Sequence, residues 1–141
     1  MTTTLEDLIR LAQFASYNDE RKAFFKKHAM KFMRDVAKDW GLAKGQYDAR
    51  FNPGGIAVSG DAILHTDNLY LHLNDFGFYW RKCDGRTAYS SRNYPNRQAS
   101  GLLLTAKELV AEIQREVMDY SPKLLDEQEA HNQIDQTFFS V

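Results

Sequence analysis

The chain has 141 residues, of which 43% are apolar and 26% are charged, and its net charge is −1. This length suits one domain, and this balance excludes the low-hydrophobicity class of disordered chains. A net charge close to zero excludes a general attraction to polyanions, so any such attraction must come from a local patch. The single cysteine, Cys83, excludes an internal disulfide and a multi-cysteine zinc site.

The N-terminal segment carries no recognisable targeting signal. It reads Met-Thr-Thr-Thr-Leu-Glu-Asp and lacks both the basic and the apolar region of a signal peptide. No apolar run reaches the roughly 18–20 residues that a membrane span requires. We therefore expect a cytoplasmic protein with no membrane partner.

Two helices are predicted at the start of the chain. Apolar residues at helical spacing indicate a first helix over 4–16, with Thr3 and Glu6 as a capping box. A longer apolar stripe, with lysines mainly on its other side, indicates a second helix over 19–40. Gly41 suits the left-handed position that commonly closes a helix.

The middle of the chain alternates between apolar and polar residues and predicts an antiparallel meander. Asp67-Asn68 and Asn74-Asp75 are expected to be tight turns, and Gly60 marks a bulge or a close backbone approach. The predicted strands are 47–51, 56–66, 69–73 and 76–82.

No periodicity appears from Cys83 to Gly101, so this stretch is either a functional loop or contains a short strand near 87–90. Thr105 and Glu108 form a capping box for a further helix that ends before Pro122. The predicted fold is α+β, with two N-terminal helices, a short antiparallel meander of about four strands, and a C-terminal helix packed on the sheet. Residues 1–121 would form one domain, with 122–141 as its acidic tail or docking arm.

The leading candidate site is a cationic, aromatic loop over 79–97. From residue 81 to residue 97, five basic side chains stand against one acidic, a net charge of +4. Guanidinium groups bind phosphate or carboxylate, and aromatic faces stack on bases. The expected partner is therefore a nucleic acid or an acidic protein surface, and the alternative is a solvated loop whose tyrosines cover the sheet edge. The residues predicted to bind are Tyr79, Arg81, Lys82, Arg86, Tyr89, Arg92, Tyr94 and Arg97.

A second candidate site lies on the predicted hairpin. If Asp67-Asn68 is a two-residue turn, His65, Tyr70 and His72 share one face, where Asp61 could join them. Two imidazoles and a carboxylate are groups that hold metals or run acid–base chemistry, so His65 and His72 are weak metal candidates. Histidines on the polar face of a half-buried sheet are nevertheless common.

These observations favour a small non-enzymatic binding module without a cofactor. It would engage a phosphate- or carboxylate-bearing macromolecule through the 79–97 segment. The alternative is a small enzyme, or a ligand- or metal-binding domain, that uses His65, Tyr70 and His72. Self-association into a homo-oligomer is left open, because a small sheet needs its edges covered.

Overall fold

The computed structural model describes residues 3–84, 87–98 and 101–116. In this part of the chain two helices precede five strands, a short 3-10 turn (Asn96–Gln98) and a further helix. The helices are α1 (Leu5–Ala15), α2 (Asp19–Asp39) and α3 (106–116). The strands are β1 (Asp48–Asn52), β2 (Asp61–His65), β3 (Leu69–Asn74), β4 (Gly77–Asp84) and β5 (Thr87–Pro95).

The five strands form one antiparallel sheet in which each strand pairs with the next along the chain. On one face, α2 packs against β1 and β2, while α1 contacts β3 and β4. Buried residues of α3 join the same core. The predicted α+β class, with helices from both ends packed on a meander, is therefore confirmed. The described residues contain five strands and not four.

The missing strand is β5, which occupies about half of the stretch that showed no periodicity. The prediction of a loop over 83–101 is wrong, and its alternative, a short strand near 87–90, is right in place but too short. Arg92 and Tyr94 stand at positions of β5 that face the helices, where aliphatic residues would have produced a recognisable alternation. Pairing with β4, not its own hydrophobic pattern, makes this segment a strand.

The core lies between the helices and the face of the sheet turned toward them. Leu64, Leu71 and Trp80 stand side by side on β2, β3 and β4, and all three are fully buried. They meet apolar residues of the helices, among them Leu8 and Phe25. Burying a side chain of this size contributes about 1.5–3 kcal/mol, so this layer supplies much of the driving force for folding.

Helix α1 begins one residue later than its predicted capping box. Thr4 caps the helix: its hydroxyl accepts from the Asp7 N–H at 3.2 Å, and the Asp7 carboxylate accepts from the Thr4 N–H at 3.0 Å. The expected pair of Thr3 and Glu6 is therefore wrong. Glu6 has another role, since its carboxylate accepts from the Gly101 N–H at 3.0 Å and ties α1 to the segment before α3.

Helix α2 ends as predicted. Gly41 has a φ of +91°, and the next residue donates its N–H to the carbonyl oxygen of Ala37 at 3.0 Å. This closure is the left-handed motif that a glycine after a helix favours. The capping box before α3 is also confirmed, because Thr105 and Glu108 exchange backbone-to-side-chain hydrogen bonds of 3.0 and 3.3 Å.

Two turns set the registers of the sheet. At Asp67-Asn68 the prediction is confirmed, since Thr66 donates to the Leu69 carbonyl at 2.9 Å and the strands on either side pair in the expected register. The next turn lies one residue later than predicted, at Asp75-Phe76. Asn74 remains in β3 opposite Gly77, and its side-chain oxygen accepts from the Phe76 N–H at 2.8 Å.

The segment before β2 is not the strand that was predicted from residue 56. Residues 56–58 form a turn and a bend, residues 59–60 have no regular structure, and β2 begins at Asp61. Gly60 has a φ of +103°, and the ring of Phe51 lies where a Cβ would stand. The glycine is therefore required by a close approach, one of the two reasons predicted for it.

The proposed end of the last helix and the 122–141 tail lie outside the described residues. None of the helices between residues 3 and 116 combines the length and the hydropathy needed to cross a bilayer.

Candidate ligand-binding face

The 79–97 segment is divided between the two faces of the sheet. Because strand side chains alternate, Tyr79 and Arg81 point away from the helices, while Lys82, Arg92 and Tyr94 stand on the helix side. The structure therefore does not bring the predicted binding residues together in one loop. Arg86 lies outside the described residues, and the side chain of Tyr89 is not among those described.

Two of the helix-side members make contacts within the fold, Arg92 with α3 and Tyr94 with β4. Arg92 Nη2 lies 2.5 Å from Glu116 Oε1, and the Tyr94 ring stacks on Phe78 with a centroid separation of 6.1 Å. Burial raises the pKa of Glu116, and Arg92 opposes this shift. Burial likewise raises the pKa of Tyr94. These contacts give Arg92 and Tyr94 structural roles and remove them from the candidate surface.

Two other described cations of the segment, Lys82 and Arg97, also do not lie on the face that Tyr79 and Arg81 share. Lys82 donates its Nζ to the carbonyl oxygen of Cys83 at 3.0 Å. Arg97 is exposed on the 3-10 turn, after β5 has ended. Of the described residues that were predicted to bind, only Tyr79 and Arg81 lie on the opposite face of the sheet.

That opposite face is here named the open face, and every described side chain on it retains some exposure to solvent. The pairings place its residues in two rows that cross all five strands. The first row is Arg50, Ile63, His72, Tyr79 and Asn93, and the second is Asp48, His65, Tyr70, Arg81 and Ser91.

The predicted grouping of His65, Tyr70 and His72 is present on the open face. The ring centroids of His65 and Tyr70 are 6.1 Å apart, and those of Tyr70 and His72 are 6.2 Å apart. Tyr79 adds a fourth ring, 6.1 Å from Tyr70. The two-residue turn at Asp67-Asn68 produces this grouping, because it fixes which residues of β2 and β3 share a face.

Arg81 connects the two candidate sites. Its guanidinium carbon lies 5.4 Å from the centroid of the Tyr70 ring, within the range of a cation–π contact. In the described part of the chain Arg81 forms no ion pair, and its Nε is buried without a hydrogen-bond acceptor. Arg50, by contrast, pairs with Asp48 at 2.7 Å.

Asp61 also joins the open face, as predicted. Its Oδ1 lies 2.9 Å from Nε2 of His72 and accepts from the Asn74 side-chain amide at 2.9 Å. A shallow groove of about 210 Å³ adjoins this cluster, with Tyr79 and Asn93 in its wall. Burial raises the pKa of Tyr70, and Arg81 opposes the shift, so its hydroxyl is protonated at neutral pH.

The arrangement suits planar ligands better than metals. Four rings and a guanidinium without an ion pair provide stacking and one strong anion contact. Among the described residues, no group of three or more His, Cys, Asp or Glu side chains is arranged to hold a metal ion. Apart from its histidines, this face has two arginines, Arg50 and Arg81, and two aspartates, Asp48 and Asp61.

Two other concavities have different chemistry. A groove of about 650 Å³ between α2 and the start of α3 has mixed charges, and its Lys31 is paired with Asp35 at 2.8 Å. A groove of about 360 Å³ at the junction of α1 and α2 contains Phe14 and Phe24, which are 63% and 51% exposed. The second groove also contains Arg21 and Glu20, but among the described residues no lysine or arginine lies over an aromatic ring in either groove.

Sequence reasoning overlooked Arg50, Ile63 and Asn93 as members of this surface. Arg50 and Ile63 were within predicted strands, so alternation alone placed them on a face, but their neighbours depend on the pairing of β1 with β2. Asn93 required a strand whose own pattern gave no signal.

No protein-family model, curated protein or solved structure gives a significant match to this chain.

Proposed function

We propose that the protein is a small non-enzymatic binding module whose open face engages a phosphate- or carboxylate-bearing macromolecule. The observation that carries this proposal is Arg81, a cation that lies over Tyr70 and has no carboxylate partner in the described chain. A guanidinium held by an aromatic ring is already oriented, so it loses little conformational freedom when it binds an anion.

The form of the open face supports binding to a macromolecule. Its rows extend across five strands, and its groove of about 210 Å³ is smaller than the roughly 300–1,000 Å³ typical of small-molecule pockets. A broad, shallow surface contacts an extended partner at several points. The proposal transfers the function predicted for a loop to the sheet face that Tyr79 and Arg81 share. A cytoplasmic location is part of the same proposal.

The proposal predicts which amide signals move when an anionic polymer is added. We expect titration of ¹⁵N-labelled protein with polyglutamate and with oligothymidylate to shift signals of β2, β3 and β4 for at least one polymer. Arg81→Glu should abolish these shifts, because it places a carboxylate where the anion contact is made. Arg97→Glu is the matched control, since Arg97 is exposed and lies beyond β5.

Two results would refute the open face as the site of anion contact. One is a set of shifts confined to the lysine-bearing side of α2, and the other is equal shifts in wild type and Arg81→Glu. Thermal unfolding of Arg97→Glu should match wild type, because this side chain is exposed. Arg81→Glu loses the contact with the Tyr70 ring, so its melting temperature should be lower, and circular dichroism checks that it is folded during the titration.

A second candidate function, a small-ligand site or enzyme, is favoured by one observation. Asp61 holds His72 at 2.9 Å beside a groove, and an imidazole oriented by a carboxylate is a common acid–base device. Inorganic phosphate should then shift the signals of His72 and its neighbours in the same titration. A response to the polymers alone favours the binding module.

A further inference from the structure

We infer that the macromolecule bound by the open face is a single-stranded nucleic acid, with bases stacked on Tyr70 and Tyr79. This inference rests on the proposed function and specifies its ligand class. It follows from the charge of the face, the arrangement of its rings and the polar groups beside them.

The charge of the open face argues against a partner that is bound by charge alone. Arg50 is paired with Asp48, which leaves Arg81 as the cation of the two rows with no carboxylate partner in the described residues. An exposed ion pair changes Kd by at most about fivefold, whereas each stacked base changes it by about fivefold to more than a hundredfold. An acidic peptide supplies charge without rings, so this face would hold it weakly.

The rings are suited to stacking. Tyr70 and Tyr79 are only partly exposed and their centroids lie 6.1 Å apart on adjacent strands. Tyr70 is flanked by the rings of His65 and His72 and by the Arg81 guanidinium, which restricts its motion before any ligand arrives, and Tyr79 packs against Tyr70. Aromatic rings on neighbouring strands form the kind of platform on which a sheet stacks successive bases.

Groups that can recognise base edges lie next to the rings. Asn93 is exposed, stands opposite Tyr79 in the pairing of β4 with β5, and makes no hydrogen bond to any described residue. Its amide has donors and an acceptor, as base edges do. In a duplex the base faces are stacked on one another, so they are accessible to Tyr70 and Tyr79 only in a single strand.

The test compares ligands that have the same phosphates but differ in their bases. We expect fluorescence anisotropy to show binding of a labelled oligothymidylate of about 12 nucleotides. An abasic strand of equal length and a duplex of the same length should each bind at least about tenfold more weakly.

Matched variants separate stacking from folding. Tyr70→Ala combined with Tyr79→Ala should raise Kd for oligothymidylate by about tenfold or more, whereas the double Tyr→Phe variant, which keeps both rings, should bind like wild type. Circular dichroism checks that each variant is folded. If the double Tyr→Ala variant does not fold, the double Tyr→Phe variant and the comparison of ligands test the inference.

Each outcome has one meaning. Equal affinity for the abasic strand and oligothymidylate, or loss of binding in the double Tyr→Phe variant, overturns the nucleic-acid inference. Tight binding of polyglutamate without oligothymidylate binding also overturns it and leaves the proposed anion-binding function standing. Binding of neither polymer refutes both.

Discussion

Gly77 and Gly41 have positive φ angles of +141° and +91°, but their surroundings differ. A Cβ on Gly77 would collide with the carbonyl oxygen of Tyr94 and lie 3.0 Å from the Asn96 nitrogen. At Gly41 nothing lies within 4 Å of that position. Backbone conformation alone therefore favours glycine at position 41, whereas at position 77 both the conformation and the nearby backbone of β5 favour it.

Substituting each glycine by alanine should reveal this difference. Gly41→Ala should lower the free energy of unfolding by about 1–2 kcal/mol, the cost of a left-handed alanine. Gly77→Ala carries a similar cost and a further roughly 1–3 kcal/mol, because the backbone must move away from β5. Urea denaturation measures both values. Equal losses would show that β4 and β5 separate easily at this turn.

At the scale of elements, α3 is attached to the sheet by a partly buried ion pair. Glu116 of α3 meets Arg92 of β5, and the net effect of its environment is a raised pKa for the carboxyl group. A carboxyl whose pKa is raised by folding binds more protons in the native state. Its contribution to stability is therefore greatest below its unfolded pKa and is lost as the pH rises through the folded pKa.

Glu116→Gln should weaken this pH dependence, because the amide stays neutral and can still accept from Arg92. Between about pH 4 and about pH 7, wild type should lose more stability than the variant, apart from changes that other groups impose equally on both. Chemical denaturation at several pH values gives the difference. Parallel curves for the two proteins would contradict the raised pKa.

The helices and the first four strands were predictable because each has its own hydrophobic period. Strand β5 was not, since Arg92 finds its partner on α3 and Tyr94 its stacking partner on β4, far away in sequence. The candidate site divides in the same way. The grouping of His65 with Tyr70 followed from a local turn. The contact of Arg81 with Tyr70 depends on the register of β3 with β4, and this register could not be predicted correctly because the turn between them lies one residue later than expected.

At the scale of the whole molecule, the basic side chains do not converge. The lysines belong mainly to α2, which covers one face of the sheet, and Arg81 lies on the other face. A ligand on the open face thus encounters few of the cations counted in the sequence.

The salt dependence of nucleic-acid binding should consequently be shallow. Neutralising one or two phosphates on a single strand gives a log–log slope of about −0.7 to −1.4. Anisotropy titrations from about 50 to about 200 mM salt measure it. A slope near −4 would mean that the α2 lysines contact the ligand and that the binding surface extends beyond the open face.

The alternation of the strands has a consequence for how this protein can diverge. Tyr79 and Trp80 are adjacent in sequence, but one is partly exposed on the open face and the other is fully buried. Exchanges at surface positions usually change stability by less than about 0.5 kcal/mol, whereas core exchanges cost several times more. Ligand specificity can therefore change through substitutions at alternate residues of β3 and β4, whereas selection for folding constrains the residues between them.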